Sequence, residues 1–241
     1  MIDFTGRCAI VTGASIGIGQ ATAEKLAELN CNLVLVARNY ERLEALKEKL
    51  GKKVDVLIFK CDVSNEDEVK DVVRKSVEHF GKIDILVNNA AIWRRWIPFA
   101  ETESSMWKEY IDCNIMGTLY FTHEVLQNML ENHYGRIINI GSVAGVYGNS
   151  LQVDYSMTKG AIISFTKALA KEVTDKGILV NCVSPGSVSN KQDIPEPTEL
   201  SFTGRTGTHM ENANLICFLA SEEASYISGQ NYQVDGCRKK M

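Results

Sequence analysis

Cys8-Ala9-Ile10-Val11-Thr12, followed without a break by Gly13-Ala14-Ser15-Ile16-Gly17-Ile18-Gly19, decides the architecture. The first five residues form a short β-rich apolar run, and a helical pattern, Ala21 to Leu29, begins just after the last glycine. Between them the glycines permit a tight turn and close backbone approach. The N-terminus of the helix offers unpaired N–H groups and the positive end of a dipole to a pyrophosphate. Three spaced glycines alone mean little, because turns collect glycine; the strand-to-helix setting gives the pattern its meaning.

Similar apolar runs recur at Leu33 to Ala37, Val54 to Phe59, Ile83 to Val87, Arg136 to Ile140 and Ile178 to Val183, separated by amphipathic stretches of helical length. This alternation predicts an α/β fold, one Rossmann-type doubly wound parallel sheet of about seven strands with helices on both faces. Continuous apolar runs fit strands buried on both sides. After Pro185 the texture changes: residues 187–208 are polar, with two prolines and two glycines and no clear period, and read as a substrate lid. Glu211 to Leu219 restores a helical pattern and Tyr232 to Val234 a last strand. No linker or repeat divides the 241 residues, so a single dinucleotide-binding domain is expected over 1–241.

A net charge of −4 provides no global basic field for nucleic acid or an anionic membrane. Met1-Ile2-Asp3-Phe4 carries an acid where a signal peptide would carry basic residues, and no apolar run reaches the ~18 residues of a membrane helix. A cytoplasmic location is expected. The seven cysteines are scattered singly, without metal-ligand spacing, and a metal site is not expected.

Tyr155 and Lys159 stand four residues apart, and Ser142 lies thirteen residues upstream of the tyrosine at the end of an apolar run. On a helix the phenol and the ammonium project from one face. A neighbouring cation lowers a phenol's pKa from its usual ~10, which makes a proton donor with its tuner. Ser142 could hold the oxygen that receives the proton.

These motifs together resemble the short-chain dehydrogenase/reductase family over almost the whole chain, and within it the 3-oxoacyl-acyl-carrier-protein reductase-like members. The family's Thr-Gly-x-x-x-Gly-x-Gly is matched at residues 12–19, Tyr-x-x-x-Lys at Tyr155 and Lys159, and its serine at Ser142. Asn-Asn-Ala-Gly appears as Asn88-Asn89-Ala90-Ala91, with alanine last. By that resemblance Asn114, Ser142, Tyr155 and Lys159 are catalytic, Asn114 positioning a water in a proton relay. The cofactor would be held by Gly13, Ser15, Ile16, Gly17, Ile18, Gly19, Arg38, Asp62, Val63, Asn89, Ala90, Tyr155, Lys159, Pro185, Gly186, Val188 and Asn190. Asn190 stands where relatives often have threonine. The implied reaction moves a hydride between a nicotinamide cofactor and a carbonyl or secondary alcohol, with an NADPH-dependent ketone reductase as the leading reading. An NAD-dependent alcohol dehydrogenase and a nucleotide-sensing protein without turnover are the alternatives.

At the end of the second strand an acid would bond the ribose hydroxyls of NAD, whereas Ala37-Arg38 favours the 2′-phosphate of NADP. Arg38 could equally head a charged helix continuing through Glu41 and Arg42. For substrate, Leu151 and Gln152 read as pocket lining. Trp93-Arg94-Arg95-Trp96 could clamp a carboxylate or phosphate, or serve as an aromatic surface anchor or subunit contact. The helix from Met157 to Val173 spreads apolar residues widely around its circumference. Together with the family's habit, this predicts a homo-oligomer, a tetramer before a dimer.

Overall fold

Successive residues of the first strand pack into different layers. In β1 (Cys8–Thr12), Ala9 and Val11 join one apolar cluster while Cys8 and Ile10 join another on the opposite face. β2 (Asn32–Ala37) repeats the division, with Leu33 and Leu35 against Val34 and Val36. A period of two with apolar residues in both phases is what a strand covered on both faces requires. Each fully buried Val, Leu or Ile contributes roughly 1.5–3 kcal/mol of transfer free energy.

The computed structural model describes residues 2–94, 96–191 and 193–239. With β3 (Val56–Lys60), β4 (Ile85–Asn88), β5 (Gly135–Ile140), β6 (Ile178–Pro185) and β7 (Asn231–Val234), the strands form one seven-stranded sheet in the order β3-β2-β1-β4-β5-β6-β7. All six pairings are parallel. Helices α1 (Gly17–Glu28), α2 (Tyr40–Leu50) and α8 (His209–Ala220) supply side chains to the first cluster. Helices α3 (Glu66–Phe80), α5 (Gly117–Glu131) and α7 (Val153–Val173) supply the second. The short helices α4 (Ser104–Tyr110) and α6 (Val143–Tyr147) complete the set, and a π-helical segment, Ile111–Met116, joins α4 to α5.

Polar contacts fix the register where apolar packing alone would tolerate a slip. The buried Asp84 carboxylate accepts from the Cys8 N–H at 2.9 Å, while the Asp84 N–H donates to the Cys8 carbonyl at 3.0 Å. Further along, Asn88 and Asn139 are paired in register on β4 and β5, and the Asn88 amide donates to Asn139 Oδ1 at 2.9 Å. Such contacts fix β4 against β1 at the amino end and against β5 toward the carboxyl end. Strand order reverses between β1 and β4, and the crevice beyond the carboxyl ends of the strands is where open α/β sheets take their ligands.

Element boundaries differ from the sequence expectation by a few residues. The third strand begins at Val56, because the Val54 N–H is spent on the Leu50 carbonyl at 3.3 Å as the chain leaves α2. The first helix begins at Gly17, a turn before the apolar period starts, with Ile16 extended at its N-cap.

Residues 187–208 form no helix among those described, but they are tied together. Val188 bridges Gly207 and Pro197 bridges Arg205. The segment is rooted on α8 by a capping box, Thr208 with Glu211. Its Arg205 guanidinium meets the Glu211 carboxylate at 2.6 Å and holds that acid down at about 2, against the smaller opposing effect of burial. The carboxyl tail returns to this segment: Ser201 bridges Arg238, and the Lys239 N–H donates to the Leu200 carbonyl at 2.9 Å. Among the described residues, no helix is long and apolar enough to cross a membrane, and no cluster of metal-ligating side chains occurs.

Candidate active site

The glycine turn is built by contacts that only glycine allows. Gly13 has φ +64°, and a Cβ on it would stand 2.8 Å from the Asn89 amide nitrogen and 3.0 Å from the Ala90 Cα. A Cβ on Gly19 would run into the Gly13 carbonyl, so this glycine brings the start of α1 against the turn. Asn89 locks the arrangement by donating to the Thr12 carbonyl at 2.9 Å, while the Asn89 and Ala90 N–H groups both donate to the Thr12 hydroxyl at 3.0 Å. Ala91, where the family motif ends in glycine, has no left-handed φ, so a methyl group costs nothing there.

From this turn a cleft of about 320 Å³ runs over the carboxyl ends of β1 and β2. Gly13, Ser15, Ile16, Arg38, Asp62, Val63, Asn89 and Ala90 line it, as the sequence predicts, together with Ala37, Asn39 and Arg42. Asp62 stays below the usual carboxylate range: burial raises it, but bonds from the Ser64 hydroxyl and N–H, with the Arg38 cation, outweigh that. Among the described residues neither Arg38 nor Arg42 has an ion-pair partner within 4 Å. Gly17 has φ +63°, and a Cβ on it would meet His209 Nε2 at 3.8 Å, an ordinary van der Waals distance. A glycine turn lining the cleft, with two guanidinium groups beyond that have no ion-pair partner within 4 Å among the described residues, fits the phosphates of a dinucleotide.

A second cleft, of about 540 Å³, shares Asn89 and Ala91 with the first. Ser142, Tyr155 and Lys159 line it, with Ile18, Pro185, Gly186, Val188 and Asn190 on its walls. Ser142 is there because it ends the turn after β5 and caps α6, its hydroxyl accepting from the Ala144 N–H at 3.1 Å. Tyr155 and Lys159 lie in the first two turns of α7 on one face, where the i,i+4 spacing puts them. Lys159 is buried and donates to the Ile140 carbonyl at 2.7 Å, with its Nζ 5.9 Å from the Tyr155 ring centroid.

The electrostatics run opposite to the expected tuning. Burial pushes the Tyr155 phenol up to about 12, against a hydrogen bond with Ser142 that lowers it. Burial also pulls the Lys159 ammonium down to about 8. Desolvation therefore sets both groups in this arrangement, and the ammonium is aimed at the Ile140 carbonyl.

Other expected site residues lie elsewhere. Asn114 sits in the π-helical segment, buried, and lines neither cleft. Its side chain accepts from the Ile92 N–H at 2.8 Å and donates to the Ile92 carbonyl and the Thr158 hydroxyl, both at 3.2 Å. This side chain holds the loop after β4 against α7, with both amide hydrogens spent. Gln152 lines the second cleft but Leu151 does not: Leu151 has φ +63° and an exposed side chain, and its carbonyl accepts from Ile97 at 2.9 Å. Trp93 lines the cleft together with Trp96. Arg94 turns away to Glu109 at 2.6 Å, which removes it from a clamp, and Arg95 lies outside the described residues. Arg42, Asn149, His209 and Arg238 line the clefts without having been singled out. Only Arg42 carried a signal, four residues after Arg38 at the start of a helix.

The chain belongs to the short chain dehydrogenase family, whose model matches residues 7–198. It is a nicotinamide-dependent oxidoreductase. It is 37% identical over 243 residues to Nodulation protein G of a Rhizobium species, covering 98% of each chain. To the 3-oxoacyl-acyl-carrier-protein reductase FabG of Escherichia coli it is 36% identical over 243 residues, again covering 98% of each. Among solved structures it resembles an NAD+-bound xylitol dehydrogenase, with a TM-score of 0.89 and 30% identity over 97% of this chain and 99% of that one.

Proposed function

We propose that this protein is an NADPH-dependent ketone reductase, with Tyr155 as the acid. What supports the reading is one juxtaposition: a buried serine and lysine and a half-buried tyrosine line a cleft that adjoins the glycine-turn cleft. The nicotinamide, when bound, supplies the hydride to the carbonyl carbon. Tyr155 gives its proton to the carbonyl oxygen: burial raises the phenol to about 12, so it carries that proton at neutral pH. Ser142 donates to the same oxygen where negative charge develops. Lys159, in the same cleft, binds the nicotinamide ribose. Asn114 acts as a positioning residue, steadying Ile92 and Thr158 beside the tyrosine.

NADP is preferred to NAD because Arg38 and Arg42 line the adenosine end of the cleft and Ala37, not an acid, ends β2. The relatives named as 3-oxoacyl reductases favour the reductive direction. NAD remains the second reading, favoured by the likeness to an NAD+-bound dehydrogenase. Residues 187–208 serve as the lid over the second cleft, to which Ser187, Ser189 and Leu200 contribute. The protein is a homo-oligomer, as a tetramer: on α7 the partly or fully exposed Met157, Ala161 and Ala168 share one helix face and belong to neither apolar cluster of the sheet. A spectrophotometric screen of ketones and secondary alcohols against NADPH, NADH and their oxidised forms tests the activity. Turnover of ketones faster with NADPH is expected; oxidation of alcohols with NAD alone would overturn the reading.

A further inference from the structure

The second cleft carries its charge unevenly. No carboxylate is found among the described residues that line it, although the chain as a whole carries net charge −4. Its basic residues are Lys159, His209 and Arg238. Lys159 belongs to the tyrosine, and His209 stands beside Gly17, on the side of the glycine turn. Arg238 comes from the opposite direction, on the carboxyl tail that pairs with Ser201.

Arg238 meets a wall of amides. Its Nη2 donates to Asn149 Oδ1 at 3.4 Å, and the Asn149 amide donates to Gln152 Oε1 at 3.1 Å. The Asn149 N–H is held by the Ser156 hydroxyl at 3.1 Å, which fixes this wall to the start of α7, beside Tyr155. Gln152 is 1% exposed, and its Nε2 is a buried donor with no partner. An unpaired buried amide N–H is costly unless something accepts from it. Among the described residues Arg238 has no ion pair, and the neighbouring Lys239 is turned to the Phe202 ring.

We propose that Arg238, with Gln152 Nε2, forms an anion-binding subsite that selects ketones bearing a carboxylate. This rests on the reductase reading above and names its substrate class. Arg238 and Gln152 line one cleft and are linked through Asn149, and a guanidinium with an amide donor on the same wall matches a monoanionic carboxylate, which takes two N–H donors. A phosphate dianion would call for a second cation, and Lys239 is not directed there.

The test compares 2-oxo-, 3-oxo- and 4-oxohexanoate with their methyl esters, in the full-length wild type, Arg238→Gln and Arg238→Lys, each saturated with NADPH and with NADH. At least one acid is expected to exceed its ester in kcat/KM by tenfold or more. That ratio falls at least tenfold in Arg238→Gln and is largely kept in Arg238→Lys. In parallel, the fluorescence of Trp93 and Trp96, which line the cleft, is titrated with each compound in the wild type. Saturable quenching by an acid at concentrations tenfold below its ester is expected. Esters bound or turned over as well as every acid, or an acid-to-ester ratio unchanged in Arg238→Gln, would overturn the subsite. If no compound accepts hydride from either cofactor, the reductase reading falls, while the wild-type titration still decides the subsite, including where Arg238→Gln fails to fold.

Discussion

Lys159 Nζ lies 5.9 Å from the centre of the Tyr155 ring and donates its hydrogen bond elsewhere, to the Ile140 carbonyl at 2.7 Å. The two side chains share a helix face and a cleft, yet desolvation governs both: the phenol is held protonated and the ammonium is destabilised. The site thus holds a proton on Tyr155 and a cation beside it, each at a cost that folding elsewhere must offset.

Removing only the proton tests the acid. Tyr155→Phe keeps the ring that packs edge-on against Tyr110 at 6.3 Å and deletes the hydroxyl. Turnover should fall by about 10²–10⁴-fold, with NADPH affinity, read by fluorescence quenching, changed little. Near wild-type turnover would remove Tyr155 from the mechanism.

Burial of Lys159 gives a stability prediction with a definite sign. Its folded-state value of about 8 lies below the ordinary 10.5, so the unfolded chain binds the proton more tightly between these values. Wild-type stability from this group therefore rises with pH through that window, and the full cost is present below it. Lys159→Met should accordingly raise Tm at pH 7, on the order of 2 kcal/mol or ~4–8 °C after allowing for the lost bond to Ile140. The advantage should shrink at pH 9.5, while activity is lost at both. Calorimetry at the two pH values decides; a lower Tm for the variant at pH 7 contradicts the argument.

Cofactor choice is read at the end of β2. Arg38→Ala with Arg42→Ala should weaken NADPH relative to NADH by more than tenfold, because charge-assisted contacts to phosphate are worth about 1.5–3 kcal/mol. Adding Ala37→Asp should shift preference further toward NADH by offering a carboxylate to the ribose hydroxyls. Paired Kd measurements check this, and a wild type that already prefers NADH would sink it.

Assembly is checked by light scattering at micromolar concentration, where a mass near four times the 26.8 kDa protomer is expected. Ala161→Glu with Ala168→Glu, placed on that face of α7, should lower it. A wild-type mass near one protomer would show that the face tolerates water.

Much of the fold was legible because its signals are local. Apolar runs in both phases of a strand, and glycines at a turn with positive φ, report on backbone geometry within a few residues of themselves. Tyr155 and Lys159 were legible for the same reason, one helix turn apart. Arg42 could have been found four residues after Arg38. Arg238 could not: its place beside Asn149 depends on the tail pairing with Ser201, a contact across 37 residues of chain that no periodicity announces.

The sequence alone determined the parallel α/β sheet, the glycine turn at its first crossover, and the family to which the serine, tyrosine and lysine belong. These follow from covalent neighbours and from spacing along regular elements. Tertiary structure alone decided the rest: that Arg94 turns to Glu109, that Asn114 holds Ile92, and that burial raises the Tyr155 phenol. Direction, burial and partner are properties of the surroundings that distant segments supply, and the same side chain has a different pKa and a different task in each.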